Sequence, residues 1–345
     1  MSLQKALLLE KAKSPFVVTD VPIPKPGPGQ ISVKVISAAL NPVDWKIQAF
    51  NFLVEKYPAI LGSDFAGDVE EIGEGVQGFS KGDKVFCQGS FTSEMGGFQQ
   101  YALNPAELVG KIPSNIDYAQ AASIPLGFMT AAVGIMSASG AALNPTCTFD
   151  SSVTFSGKPA FVFGGSASVG QYAIQIFKIL GFSTIITYAS ARHADFLKSL
   201  GATHVIDRAE VSVDSLAEVV KKITNNSPIE IAFNAVGDPD SRAACLNSLA
   251  QGGKLADVSP QAKEQGDGKK VFTIYGSGHT PQNREFGRIL WKHLPRMIQD
   301  GTVVPNRVEK LPNGLVGIDD GLKKMKAHQV SGVKLIAFPQ EVAVV

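Results

Sequence analysis

Apolar residues in the first third of the chain alternate with polar ones, and glycine and proline interrupt them at short intervals. "ISVKVISAAL" (Ile31–Leu40) alternates as a half-buried strand does, and "VPIPKPGPGQ" (Val21–Gln30) clusters turn residues. "AGDVEEIGEGVQGFSKGDKV" (Ala66–Val85) reads as β segments joined by glycine turns. Near Ile124 the period changes. Phe161–Phe163 is short and uniformly apolar, the pattern of a buried parallel strand. Val169, Ala173, Ile176, Phe177 and Leu180 then recur at helical spacing, Gly181 stands where a helix stops, and the β-branched run "STIITYA" follows. "THVID", "VDSLAEVVKKIT", "IEIAFNAVG" and "ACLNSLAQGGKLADV" continue the alternation of strand and helix. The pattern predicts an α/β protein, with a doubly wound parallel sheet over residues 124–298. A mostly antiparallel β domain over 1–123 precedes it, and the chain returns to that domain over 299–345 through the strand-like "SGVKLIAF". "SGAALNPTCTFDSSVTFSGK" (Ser139–Lys158) is polar and turn-rich and is predicted as a surface loop.

The turn between Phe163 and the following helix carries the first chemistry. Strand, glycine turn, helix and second strand are the setting that a dinucleotide fingerprint requires, and the spacing falls on Gly165, Ala167 and Gly170. Gly165 is expected to allow the tight turn and Gly170 to let helix and strand pack closely. Ala167 is acceptable only with a negative φ. The amides of Ser166, Ala167, Ser168 and Val169 would then face phosphates at the helix N-terminus. An ordinary βα turn rich in small residues is the alternative. At the end of the next strand an NAD site wants an acid, but "YASARHADF" offers Ser190, Arg192 and His193. A hydroxyl, a guanidinium and an imidazole suit a 2′-phosphate, so the expected cofactor is NADPH.

Composition narrows the picture by exclusion. With 32 basic and 31 acidic side chains the net charge is +1, which gives no electrostatic case for nucleic acid or an anionic membrane as partner. The three cysteines (Cys87, Cys147, Cys245) are widely spaced and fit a reduced compartment. No signal peptide is recognisable, no apolar run reads as long enough to span a bilayer, and the expected location is cytoplasmic. Neither the cysteines nor the five histidines have metal-ligand spacing, so no metal site is expected.

"NPVDWK" (Asn41–Lys46), "GSDFAGDVEEIGEGVQGFSKGDKV" (Gly62–Val85), "GGFQQYAL" (Gly96–Leu103), "AASIPLGFMTA" (Ala121–Ala131) and "SGVKL" (Ser331–Leu335) come in this order. Together with the glycine turn they resemble the medium-chain dehydrogenase/reductase superfamily across nearly the whole chain. The resemblance implies a GroES-like catalytic domain built from both chain ends around a Rossmann cofactor domain, with the active site in the cleft between them. Where alcohol dehydrogenases of that superfamily carry zinc ligands, this chain has Asn41-Pro42 and Gly62-Ser63-Asp64, and it has no cysteine cluster. It therefore looks like the zinc-free branch of quinone, enoyl and enone double-bond reductases, closest to fungal toxD-like proteins and the trans-acting enoyl reductases that serve polyketide synthases.

Carried over residue by residue, the resemblance makes Lys46 and Asn41 the catalytic candidates. Lys46 would bond the nicotinamide ribose or an incipient enolate, Asn41 would orient the loop or the substrate, and Asp44 would hold the loop. A tyrosine proton donor follows this box in some relatives; here Trp45 and Phe50 occupy the neighbourhood and Tyr57 lies downstream. Thr130, Asn234, Val236, Val258 and Ser331 match cofactor-side segments, and Arg208 would stack on adenine or join Arg192 at the phosphate. Phe52, Phe91, Phe128 and Met129 would line the substrate pocket or belong to the core. The implied function is NADPH-dependent reduction of the double bond of an enone, enal or enoyl substrate, in a monomer or homodimer, with a polyketide synthase as partner if the enzyme acts in trans. A quinone reductase and a non-catalytic nucleotide-binding scaffold are the alternatives.

Overall fold

The computed structural model describes residues 2–149, 152–259 and 268–341. Strands β1 (Leu3–Leu9), β2 (Phe16–Pro22) and β3 (Gln30–Ala39) lead into helix α1 (Pro42–Phe50). Strands β4 (Ala59–Ile60), β5 (Asp64–Ile72), β6 (Lys84–Gln88), β7 (Tyr101–Pro105) and β8 (Val109–Lys111) follow, then helices α2 (Tyr118–Ala122) and α3 (Pro125–Ile135). Next come β9 (Pro159–Phe163), α4 (Ser168–Ile179), β10 (Thr184–Ala189), α5 (Ala194–Leu200), β11 (His204–Asp207) and α6 (Leu216–Ile223). This alternation ends with β12 (Ile231–Asn234), α7 (Pro239–Ser248), β13 (Lys254–Asp257), β14 (Lys270–Thr273) and α8 (Arg284–Gln299). The chain closes with β15 (Val308–Lys310), α9 (Gly317–Lys326) and β16 (Lys334–Ala337).

These elements form two compact units: residues up to Leu126 with Trp291–Gly301 and the chain from Pro305 onward, and Gly127–Leu290 with Thr302–Val304. In the first unit one sheet has the order β15-β16-β3-β5-β6-β8, with β7 also pairing β3, and a smaller sheet has the order β2-β1-β4. All pairs but β15–β16 are antiparallel. The returning "SGVKLIAF" segment supplies β16, which pairs antiparallel with β3 through Ile336 and Ala39. Alternation drives this: Ile31, Val33 and Val35 are fully buried, in one cluster with Leu9, Ile47, Phe65 and Leu335.

The second unit is a six-stranded sheet of order β11-β10-β9-β12-β13-β14, parallel throughout. Renumbered from β9, this is the 3-2-1-4-5-6 arrangement of a dinucleotide-binding sheet, whose order reverses between β9 and β12. Its inner strands are buried on both faces because helices cover both: all five residues of β9 and all four of β12 are buried, whereas the edge strands β11 and β14 are partly exposed.

Two sequence expectations change. The stretch Ser139–Lys158 is not simply a surface loop: Ala141, Asn144 and Cys147 are buried, and the Asn144 amide bonds both the N–H and the carbonyl of Thr148. Asp150 and Ser151 of that stretch lie outside the described residues. The run Tyr118–Ile135 is, at 18 residues and mean hydropathy 1.2, long and apolar enough to cross a membrane by composition, contrary to the first reading. It is 83% buried within the fold, which is the position of a core helix.

Candidate active site

The glycine turn sits at the carboxyl end of β9, at the point where the strand order reverses. Gly164, not Gly165, takes the left-handed conformation (φ 82°) and makes the tight turn. Gly165 is glycine for a different reason: a Cβ there would meet Thr187 Oγ1 at 2.0 Å, and that hydroxyl is fixed by donating to the Val162 carbonyl. A Cβ on Gly170 would meet the Gly164 carbonyl at 2.3 Å, so this position does allow helix and turn to approach. Ala167 has φ −65° as required, and caps α4. Its N–H donates back to the Gly164 carbonyl (2.9 Å), which ties the turn and takes Ala167 out of the set of amides facing a ligand. Ser166, Ser168 and Val169 stand half-buried at the start of a twelve-residue helix, where the macrodipole favours an anion.

At the tip of β10, Ser190 is half-buried and Arg192 is exposed. His193 is buried and accepts at Nε2 from Arg192 Nε (3.2 Å), so it supports the guanidinium. Arg208, at the end of the neighbouring β11, is exposed, and its N–H donates to the Ala189 carbonyl (3.1 Å). Sequence reasoning missed Asp207: its carboxylate accepts from the amides of Ala191 (3.2 Å) and Ala209 (3.1 Å) and thereby holds both loops.

The ends of β12 and β13 complete this face. Asn234 is fully buried; its Oδ1 accepts from the amides of Val236 (3.1 Å) and Gly237 (3.2 Å), and its Nδ2 donates to Ser241 Oγ (3.0 Å). Its side chain shapes the turn, and Val236, 44% exposed, is what the turn presents. Val236 lies against Gly164, and Val258 lies against Gly237, so three strand ends converge. The loop of Val258 is pinned by Asp257, which accepts from Ser259 N–H (2.8 Å) and from Arg242 Nε (2.7 Å), another pair the sequence did not single out. Thr130 on α3 packs against the backbone of Gly276. Phe128 and Met129 are core residues at 2% and 1% exposure, and Phe128 meets Tyr172 edge-on.

In the first unit the candidates gather around the start of α1. Asn41, Asp44, Asp64 and Lys334 are all buried and come together. Asn41 Nδ2 donates to Asp64 Oδ2 (2.8 Å), Lys334 Nζ donates to Asn41 Oδ1 (2.5 Å), and Lys334 pairs with Asp64 Oδ2 at 3.0 Å. Asp64 Oδ1 also accepts the Leu126 amide (2.6 Å). Asp44 holds the turn by accepting the Asn41 N–H (2.8 Å) at Oδ2. Its Oδ1 and the Ser63 hydroxyl have no hydrogen-bond partner among the described residues. Burial, with the Asp64 charge adding to it, pushes the Asp44 carboxyl up to about 7. Lys334 lies within the motif "SGVKL", which by itself gives this lysine no role. A lysine inside an apolar strand was the available signal, because a buried ammonium requires a partner.

Lys46 is half-buried on α1, with its ammonium 5.8 Å from the centre of the Trp45 ring. Desolvation lowers its pKa below the ordinary lysine value. No carboxylate pairs with it among the described residues. Tyr57 is committed to Asn51, donating to its Oδ1 at 2.8 Å. Ser331 is half-buried three residues before Lys334.

These residues do not fit a zinc ion. Asp64 already holds a buried ammonium, which opposes a second cation at that carboxylate. Among the described residues no group of three or more His, Cys, Asp or Glu side chains could hold a metal. The glycine turn does fit a dinucleotide: glycines at 164, 165 and 170 let β9, the turn and α4 pack closely, which leaves Ser166, Ser168 and Val169 half-buried at the helix N-terminus.

Residues 27–114 match the alcohol dehydrogenase GroES-like domain, and residues 168–284 match the zinc-binding dehydrogenase domain. The dehydrogenase azaJ of Aspergillus niger is 33% identical, over 93% of this chain and 94% of that protein. The enoyl reductase component lovC of the lovastatin nonaketide synthase of Aspergillus terreus is 28% identical, over 96% of this chain and 95% of that protein. A mycobacterial protein solved in complex with NADPH shares the fold, with a TM-score of 0.78 at 21% identity over 97% of this chain and 100% of that one.

Proposed function

Because this chain belongs to the medium-chain dehydrogenase/reductase superfamily, in the branch of the fungal enoyl reductases, we propose that it is a zinc-independent, NADPH-dependent reductase of activated carbon–carbon double bonds. The observation that carries the cofactor choice is the tip of β10, where Ser190 and an Arg192 guanidinium seated on His193 stand in place of an acid. Ser166, Ser168, Val169 and the turn from Gly164 to Gly170 would hold the pyrophosphate, and Ser190, Arg192 and Arg208 the 2′-phosphate. Thr130, Val236 and Val258 would lie on the nicotinamide side.

When bound, the cofactor supplies a hydride to the β-carbon of the acceptor. The electron pair of the double bond then moves onto the carbonyl oxygen, and an enolate results. Lys46 is the donor assigned to that oxygen, because its ammonium is partly desolvated and no carboxylate among the described residues pairs with it. A proton added at the α-carbon completes the reduction. Asn41 is assigned to holding α1, since both ends of its amide are engaged within the buried cluster. The A. terreus relative's place in a nonaketide synthase supports testing a synthase-borne enoyl thioester beside free enones.

The test is steady-state oxidation of NADPH with an enone, with a quinone and with no acceptor. Enone-dependent turnover that exceeds the other two supports the reading; turnover with quinone alone replaces it with a quinone reductase. NADPH is expected to bind at least about tenfold tighter than NADH, a difference of about 1.4 kcal/mol, and Arg192→Ala to shrink that gap. Equal binding of both cofactors by the unaltered protein would overturn the cofactor assignment.

A further inference from the structure

Helix α1, which presents Lys46, has nine residues and only Asp44 and Ile47 buried. A helix that short does not hold itself by backbone propensity, so its place depends on the packing of Ile47 in the core and on how its ends are fastened. Its first cap is unusual in one respect. The Asn41 side chain, which forms a capping box with Asp44, is also drawn into a buried cluster with Asp64 and Lys334. Of its two amide atoms, the oxygen faces an ammonium and the nitrogen faces a carboxylate, so the group has one orientation only. Lys334 comes from β16, and the two residues are 293 positions apart in the chain.

We infer that Lys334 is a positioning residue: its buried ammonium locks Asn41 against Asp64 and so fixes the start of α1 and the stance of Lys46. Without the ammonium, Asn41 Oδ1 loses its charged donor and Asp64 loses its counter-charge in a buried site. The amide can then turn over and the helix start is released, although Asp44 still accepts the Asn41 N–H. The consequence for turnover rests on the role proposed for Lys46; the bracing itself does not.

The probe is the Trp45 ring, which neighbours the Lys46 ammonium. Protein labelled with 5-fluorotryptophan has two ¹⁹F signals, from Trp45 and Trp291, and Trp45→Phe identifies the first. In the unaltered protein the Trp45 signal is expected to be single and to titrate with Lys46, a titration absent in Lys46→Met. Lys334→Met paired with Asp64→Asn removes both charges together, so no lone buried ion remains. That double variant is expected to shift or broaden the Trp45 signal and alter its titration, leaving Trp291 in place, while Lys334→Arg alone, which keeps the charge pair with Asp64, is expected largely to preserve it. Asn41→Ala, which keeps the Asp64–Lys334 charge pair, must produce the same change and serves if the double variant fails to fold. A folded double variant, or a folded Asn41→Ala, with an unaltered Trp45 signal would overturn the inference. The kinetic counterpart is a fall in kcat of at least about tenfold with the KM for NADPH unchanged, the pattern of a displaced catalytic group. A changed Trp45 signal with unchanged kcat would leave the brace standing and remove Lys46 from the reaction.

Discussion

Two titratable side chains of the first unit both lose their contribution as pH rises, one to turnover and one to stability. Lys46 acts as an ammonium in the proposed reaction, and its pKa is lowered by desolvation. The charged form is therefore lost as pH rises through a value below the ordinary 10.5, so kcat is expected to fall on the alkaline side earlier than a surface lysine would allow. Lys46→Met should lower kcat roughly a hundredfold and abolish that limb, with melting as the control for folding. Lys46→Arg should push the limb out of range, because a guanidinium does not deprotonate there. A pH–kcat profile of the three proteins checks this. Asp44 affects stability. Its folded-state pKa is raised to about 7 from 3.8, chiefly by burial, with Asp64 adding repulsion and Lys334 opposing it. Between those values the unfolded chain has released the proton that the folded chain keeps, so stability falls as pH rises through the window and levels off above it. Melting temperatures from pH 4 to 8 should decline more steeply for the unaltered protein than for Asp44→Asn. Parallel curves would show that Asp44 does not carry this proton.

Among elements, the turn between β9 and α4 shows what a sequence motif does and does not specify. The spacing of Gly165, Ala167 and Gly170 marked where backbone is crowded, and the crowding is there. It did not say which residue takes positive φ: the count falls on Gly165, whereas Gly164 beside it makes the turn, and Gly165 is kept free of a side chain by Thr187 on another strand. Ala167 could be judged from stereochemistry alone, and its φ is negative. Gly170→Ala should be poorly tolerated, since the added carbon meets a backbone carbonyl that cannot swing aside. Overpacking of this kind costs about 1–3 kcal/mol, and NADPH titration together with melting should show both affinity and stability reduced. Unchanged binding would mean that the turn relaxes without loss. Strand and helix periods were legible because they are local. The Lys334–Asn41–Asp64 cluster and the burial of Cys147 were not, since each depends on residues brought together from distant segments.

At the scale of the molecule, a chain matching a zinc-binding dehydrogenase domain has placed a lysine ammonium against the carboxylate of Asp64. Purified protein is accordingly expected to carry no stoichiometric zinc, and prolonged chelation should leave its rate unchanged. Elemental analysis near one zinc per chain, lost together with activity, would overturn the reading.

The return of the chain to its first sheet has a consequence for how the protein is made. Because β16 lies beside β3, the sheet that β3 opens lacks an interior strand until residues 334–337 have been added. Asp64 likewise waits for the counter-charge of Lys334. At translation speeds of about 5–20 residues per second, the 293 residues between Asn41 and Lys334 take roughly 15–60 s to appear. The parallel sheet, encoded almost wholly within that interval, has all its strands available first. On the ribosome the order of completion thus inverts the order of synthesis, and for that interval the segment bearing Lys46 stands without the Lys334 contact to its cap.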